Sequence, residues 1–252
     1  MNEPTPTRRL PRWLWILLPL AAGPIQVAAK AVGEDFYRAT MRGELGLIEN
    51  GTVVALLVTI VTAVRLFARR REVASKLFAP FCLVMAAGCF FFAGEEASWG
   101  QHWIGYEVPE DISARNDQGE FNLHNDPFFE KLLDQPPRLA LTLFALVGGV
   151  VVPLRRRKRG VELPRFDRPG IDGWIWPTIE CLPAGLMVAT ISLPKKLFEA
   201  LTGETPYLLE IAPGETKELC LALFLMIYLL VMLRESPVRR QSLSSTFAGA
   251  ER

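Results

Sequence analysis

Two polar segments hold most of the residues that could do chemistry in this chain. The first, residues 94–103, follows an apolar stretch directly, and the second covers residues 118–125. Both histidines of the chain lie in these segments. Ionisable residues at the end of a membrane span are costly, so their concentration indicates a functional site. The candidates are Glu95, Glu96, Ser98, Gln101, His102, Glu120, Asn122 and His124.

The residue types in these segments suit acid–base chemistry or metal binding. Neighbouring carboxylates and an imidazole supply general acids and bases, because crowding and burial separate their pKa values. We therefore predict catalytic roles for Glu95, Glu96 and His124, and ligand-binding roles for the other five. The same donors would hold a divalent metal ion such as zinc, although the His-Glu-x-x-His spacing is absent. The alternative is structural: carboxylates that cap helix ends, and loop side chains that bond one another.

The composition places these segments in a membrane protein. Half of the residues are hydrophobic, the mean hydropathy is +0.21, and the apolar residues come in blocks. A bilayer requires about 20 apolar residues per helix. The sequence therefore predicts an all-α polytopic membrane protein, in which the four cysteines are buried hydrophobes. Six spans are expected: Trp13–Ala29, Leu47–Ala68, Leu77–Trp99, Leu139–Leu154, Ile171–Leu193 and Thr216–Leu233.

The distribution of basic residues predicts the orientation. Most of the 28 Lys and Arg residues fall before the first span, between spans two and three, between spans four and five, and in the tail. Such segments face the cytoplasm, so both termini are expected there and the polar segments outside. The run Arg155–Arg159 is then a topology determinant that attracts anionic lipid. With a net charge of +1, the chain shows no bias towards nucleic acid.

The predicted domain organisation is a single transmembrane unit over residues 1–240. It carries a structured external acidic loop at 103–137, with a short interfacial helix near 127–134, and ends in a disordered tail at 241–252. Asn125-Asp126-Pro127 is typical of a helix start. If helix continued through the first polar segment, Glu95, Ser98 and His102 would share one face. The first span also has an alternative: its basic start and Ala29-Lys30-Ala31 resemble a cleaved signal peptide.

The polar pattern also resembles that of a known group of proteins. Gly94-Glu95-Glu96-x-Ser98-Trp99-Gly100-Gln101, followed by Asn116, Gln118, Glu120 and Asn122–Asn125, is similar to a motif of uncharacterised bacterial multi-pass membrane proteins. The resemblance covers about 30 residues and implies the bacterial inner membrane, but no activity. In that group an Arg often follows the Gln, at the position where this chain has His102. The resemblance therefore favours Glu95, Glu96 and His124 over His102 as site residues. CAAX-type membrane proteases share the Glu pair, but here Gly100 replaces their Arg.

Two further carboxylates lie at the predicted spans. Glu49 opens the second span, where it could join the external site or cap the helix. Glu180 lies between Pro177 and Pro183, a pattern typical of ion or substrate sites in broken transporter helices, or of a simple kink with a paired Glu.

Three functions remain in competition. The first is a membrane-embedded hydrolase or transferase acting on a lipid or lipid-linked substrate. The second is a non-catalytic envelope subunit that binds a partner membrane subunit through the loop. The third is a small transporter centred on Glu180.

Overall fold

A computed structural model describes residues 9–43, 45–114, 116, 119, 121–122, 135–161 and 163–237. Within these ranges all regular structure is helical, and six helices are long and apolar enough to cross a membrane. They are α1 (Trp13–Val32), α3 (Leu47–Ala68), α4 (Phe78–Glu96), α7 (Gln135–Lys158), α8 (Ile179–Thr202) and α9 (Pro213–Glu235). Three short helices are α2 (Glu34–Met41), α5 (Gln101–Ile104) and α6 (Glu110–Ser113). The polytopic all-α prediction is confirmed.

The last helix, α9, is the centre of the bundle. It is the most buried of the six spans, and it packs on α3, α8 and α1. A helix that is apolar on every side belongs in such an interior position. Glycines bring its neighbours close: a Cβ atom on Gly149 of α7 would lie 2.6 Å from the ring of Phe224. Small residues permit this close approach of helices in membranes.

Successive spans run in opposite directions and give the bundle two ends. We name them the Glu95 end, where α4 finishes, and the Arg234 end, where α9 finishes. The N-terminal turns of α3, α7 and α9 lie at the Glu95 end. At the Arg234 end, Arg69 donates to the carbonyl oxygen of Leu233 at 2.7 Å and to Oγ of Ser236 at 2.8 Å. This contact fixes the end of α3 against the end of α9.

The first helix is packed into this bundle through polar contacts. Gln26 of α1 is fully buried and donates both to the hydroxyl of Thr216 on α9 and to the carbonyl oxygen of Ala22. Tyr37 of α2, also buried, accepts at its hydroxyl the backbone N–H of Ala212 at 2.9 Å. Unsatisfied polar groups are expensive in a membrane, so these bonds hold α1 and α2 against the start of α9.

The fifth span begins later than the sequence predicted. The prediction was Ile171–Leu193, whereas α8 covers Ile179–Thr202. Trp174 is fully buried and makes an edge contact with Phe78 at 5.2 Å, which keeps the residues before Pro177 in a packed loop. Within α8 the helix is interrupted at residues 191–192, just before Pro194. Proline cannot donate a helical hydrogen bond, which accounts for the break there.

Candidate functional site

The first polar segment is a tight, strained turn rather than a continued helix. Helix α4 ends at Glu96, and Ser98, Trp99 and Gly100 have φ values of 41°, 52° and 89°. Left-handed backbone at residues other than glycine costs of order 1–3 kcal/mol each, and it is found where surrounding contacts enforce it. The expected common face of Glu95, Ser98 and His102 is therefore wrong, because His102 lies on the separate helix α5.

Trp99 folds back over the end of α4. A Cβ atom on Gly94 would lie 2.8 Å from the Trp99 ring, so only glycine leaves room for it. The indole Nε1–H donates to Oε1 of Glu95 at 2.8 Å. The Glu95 side chain is 4% exposed, so it is a buried carboxylate with a fixed orientation. Gly94 thus accommodates the ring of Trp99.

Part of the second polar segment closes on this turn. Asn122 donates through Nδ2 to the hydroxyl of Ser98 at 3.1 Å, and both side chains are buried. Asn116 donates to Oδ1 of Asn122 at 2.8 Å, and Gln101 accepts the backbone N–H of Phe121 at 2.8 Å. The structure therefore brings together Ser98, Gln101 and Asn122, three of the predicted ligand-binding residues. Hydrogen bonds of this kind, between uncharged side chains, hold a loop in place and do not activate a nucleophile.

The hydroxyl of Tyr106 donates to the carbonyl oxygen of Ser98 at 3.1 Å, which gives the left-handed turn a further support. Burial raises the pKa of Tyr106, so the phenol stays protonated and keeps donating at neutral pH. The ring of Tyr106 also makes an edge contact with Phe121 at 5.9 Å.

A groove leads from these carboxylates along the bundle surface. It has a volume of about 610 Å³ and lies between α4, α7 and α9. Its walls are apolar over most of their length, with Val84, Phe144 and Leu225 farthest from the Glu95 end, while Glu95, Glu96 and Arg138 line its mouth. Exposed Val84 and Gly88 show that the groove opens sideways, towards the hydrocarbon of a bilayer.

Sequence reasoning missed one charged residue at the mouth, Arg138, and the ion pair that it makes. Arg138 of α7 forms an ion pair with Glu218 of α9, whose side chain is 13% exposed. The sequence did contain a signal for Arg138: it directly precedes an apolar span on the side of the membrane that has few basic residues. Lys and Arg usually gather on the opposite, cytoplasmic side, so an Arg here is unusual.

Glu49 and Glu180 lie at opposite ends of the bundle. Glu49 is in the first turn of α3, at the Glu95 end, as expected for a contributor to that site. Glu180 is at the Arg234 end, where its two oxygens accept from Arg234 at 2.9 and 3.1 Å. The backbone N–H of Leu10 donates to Glu180 at 2.7 Å as well. The structure therefore separates Glu180 from the other candidates and gives it a role in joining helices.

Several predicted features fall outside the described residues. They are Glu120, His124, the interfacial helix near 127–134 and the tail 241–252. Among the side chains that the structure does describe, no three His, Cys, Asp or Glu residues are grouped as metal ligands.

The chain was compared with protein-family models, with curated proteins and with solved structures. No family model, no curated protein and no solved structure matches it.

Proposed function

We propose that this integral membrane protein binds a lipid or lipid-linked molecule in the groove between α4, α7 and α9 and acts on its headgroup as a hydrolase or transferase. The observation that carries the proposal is the combination of a deep apolar groove with carboxylates at its mouth. Its volume of about 610 Å³ falls in the range of small-molecule sites. The lateral opening would let the ligand enter from the bilayer.

The length of the groove supports an acyl or prenyl chain as the buried part of the ligand. Val84 and Glu96, at its two extremes, are twelve residues apart on α4. At 1.5 Å per residue they are separated by about 18 Å, a little more than half of the roughly 30 Å hydrocarbon core. A chain from one leaflet would fill this depth while its headgroup lay beside the carboxylates.

The two carboxylates differ in a way that suggests a division of roles. Glu95 is buried and held by Trp99, which suits a positioning or electrostatic role. Glu96 is partly exposed and lines the mouth, so it is the better candidate for a general base. His124 is proposed as its partner from the sequence pattern. A divalent metal ion shared by Glu96, Glu120 and His124 would supply the same base as a bound hydroxide.

The orientation and location are part of the proposal. The Arg234 end carries the dense basic segments, which supports a cytoplasmic position for that end and for both termini. The Glu95 end would then face outwards. The inner membrane of a bacterium is the location that the motif resemblance implies.

One observation favours a second function, that of a non-catalytic envelope subunit. The hydrogen bonds among Ser98, Asn116 and Asn122 hold the described part of the loop, residues 116–122 with gaps, against the turn that follows α4. A loop held in place is a good surface for binding a partner membrane subunit, since little ordering entropy is lost on binding.

A groove-filling variant tests the binding part of the proposal. A Cβ atom on Gly88 meets no atom within 4 Å, so Gly88→Leu would place its side chain in the groove without strain. The matched control is Gly214→Leu, an exposed helical glycine that is equally free of neighbours. We expect lipid to co-purify with the wild type and with the control but not with Gly88→Leu. Native mass spectrometry of the purified proteins measures the bound lipid. Equal lipid retention by all three proteins would refute the groove as the binding site.

The catalytic part is tested with Glu96→Gln, against Glu204→Gln as an exposed carboxylate control. Purified protein would be incubated with a polar lipid extract that contains lipid-linked saccharides, and new products would be followed by mass spectrometry. Loss of a general base lowers such rates by about 10²–10⁴-fold. We expect that loss for Glu96→Gln alone, with bound lipid retained. Lipid binding without any conversion by the wild type would favour the non-catalytic subunit.

A further inference from the structure

A second pocket lies at the Arg234 end, outside the proposed site. Its volume is about 410 Å³, and three arginines line it: Arg156, Arg165 and Arg168. We name these three residues the arginine pocket. Of the described residues that line it, only Asp172 carries a negative charge.

The loop that carries two of these arginines is held firmly against the bundle. Phe166, between them, is buried and makes an edge contact with Phe78 at 5.8 Å. Its carbonyl oxygen accepts the backbone N–H of Ala74 at 3.0 Å. Since the loop is anchored at this aromatic residue, Arg165 and Arg168 are fixed on the outer side of the anchor.

A second contact closes the loop on itself. The backbone N–H of Arg165 donates to the carbonyl oxygen of Gly173 at 2.8 Å. A Cβ atom on Gly173 would lie 2.6 Å from the carbonyl oxygen of Arg165, so the two loop segments are in contact through their backbone atoms. The backbone of this loop is therefore held in place, and it brings Arg165 and Arg168 to the same pocket.

The charges of the pocket are not balanced by the described residues. Neither Arg165 nor Arg168 makes an ion pair within 4 Å in the described part of the chain, and both are exposed. Arg156 donates only to the carbonyl oxygen of Leu163, at 3.5 Å, and it lies within electrostatic range of Arg165. Guanidinium groups that converge on one space are suited to a multidentate anion such as a phosphate.

The depth of the pocket indicates where that phosphate comes from. Arg156 is two residues from the end of α7, which puts it about 3 Å from the helix terminus along the axis. This is the level at which a membrane span meets the lipid headgroups. Basic pockets at the cytoplasmic ends of spans bind anionic headgroups, and the cytoplasmic leaflet is rich in such lipids.

We propose that the arginine pocket binds the phosphate of an anionic phospholipid from the leaflet at the Arg234 end. The binding site is independent of the groove at the Glu95 end and of any reaction there. It would hold the basic loop between α7 and α8 on the membrane surface.

The experiment compares two charge-matched double variants of the full chain in detergent. Arg165→Gln with Arg168→Gln removes two pocket arginines, and Arg155→Gln with Arg159→Gln removes two exposed arginines outside the pocket. Phosphatidylglycerol would be titrated against each protein and bound lipid counted by native mass spectrometry, with phosphatidylcholine as the zwitterionic comparison. Charge-assisted hydrogen bonds to a phosphate are stronger than long-range attraction by exposed charges, so losing both pocket arginines should weaken phosphatidylglycerol binding about tenfold or more.

The control pair should keep phosphatidylglycerol affinity within about threefold of the wild type, which is the range of ordinary surface electrostatics. Equal weakening in both double variants would overturn the pocket in favour of a general charge effect, and no weakening in either would overturn it directly. Inorganic phosphate is added in a separate titration. If it displaces phosphatidylglycerol at equal concentration, the ligand is a soluble phosphate and the lipid assignment is wrong.

Discussion

At the residue scale, the turn Ser98-Trp99-Gly100 explains most of the site's geometry. Its left-handed backbone is enforced by contacts of Trp99 with Glu95, of Tyr106 with the Ser98 carbonyl and of Asn122 with the Ser98 hydroxyl. The sequence indicated Ser98 as a candidate ligand-binding residue, and that role stays a prediction. It could not reveal the turn, because serine and tryptophan carry no local preference for positive φ and only long-range contacts stabilise it there.

Gly94 provides a test of this turn. In Gly94→Ala the new Cβ atom would lie 2.8 Å from the Trp99 ring, which must move and release Glu95. Overpacking of this kind destabilises by about 1–3 kcal/mol. Gly88→Ala is the matched control on the same helix, because its Cβ atom meets nothing within 4 Å. We expect thermal unfolding in detergent to show a lower Tm for Gly94→Ala and an unchanged or higher Tm for Gly88→Ala; equal Tm values would contradict the packing of Trp99.

At the element scale, the helices were predictable to different degrees. The bounds of α3 agree with the sequence prediction at both ends, because no charged residue falls between Glu49 and Arg65 and the basic run from Arg69 follows directly. The start of α8 was displaced by eight residues, since the apolar run from Ile171 to Trp176 packs as a loop. Hydropathy does not distinguish an apolar loop residue such as Trp174 from a helical one. The burial of Trp174 against Phe78 explains why this segment is a loop.

The contact of α8 with α9 through Glu180 and Arg234 yields a second prediction. Removing one partner of a buried ion pair leaves the other charge unpaired, at a cost of several kcal/mol in a fully buried site. Because the Arg234 side chain is 20% exposed and also pairs with Glu235 at 2.7 Å, we expect about 2 kcal/mol for Arg234→Met alone and less for Glu180→Gln. In the double variant the loss should be clearly less than the sum of the two, as unfolding in detergent would measure. Strict additivity would show that the two side chains do not interact.

At the scale of the whole molecule, the six spans and their alternation followed from composition alone. The central position of α9 did not, because α3 is just as apolar and the sequence contains no information on which helix is surrounded. The packing of the neighbouring helices determines this position. Gly149 and Gly185 have no side chains that would keep α7 and α8 apart. The orientation in the membrane rests on the Lys and Arg distribution.

Orientation is tested by cysteine accessibility. The four native cysteines are buried, so a membrane-impermeant maleimide should not label the wild type. We expect Glu204→Cys, at the Glu95 end, to be labelled in cells in which only the outer membrane has been permeabilised. Arg159→Cys, at the Arg234 end, should be labelled only after the membranes are solubilised in detergent. The reverse pattern would invert the proposed topology and place the carboxylate site inside.

The Glu180 contacts have a consequence for the order in which the chain is assembled. Leu10, Glu180 and Arg234 come from the beginning, the later part and the end of the described chain, yet they meet at one point. In the order of the chain, α8 is synthesised before Arg234. The contacts of Glu180 are therefore completed only once α9 has been made, and α9 then joins the start of α8 and the segment before α1.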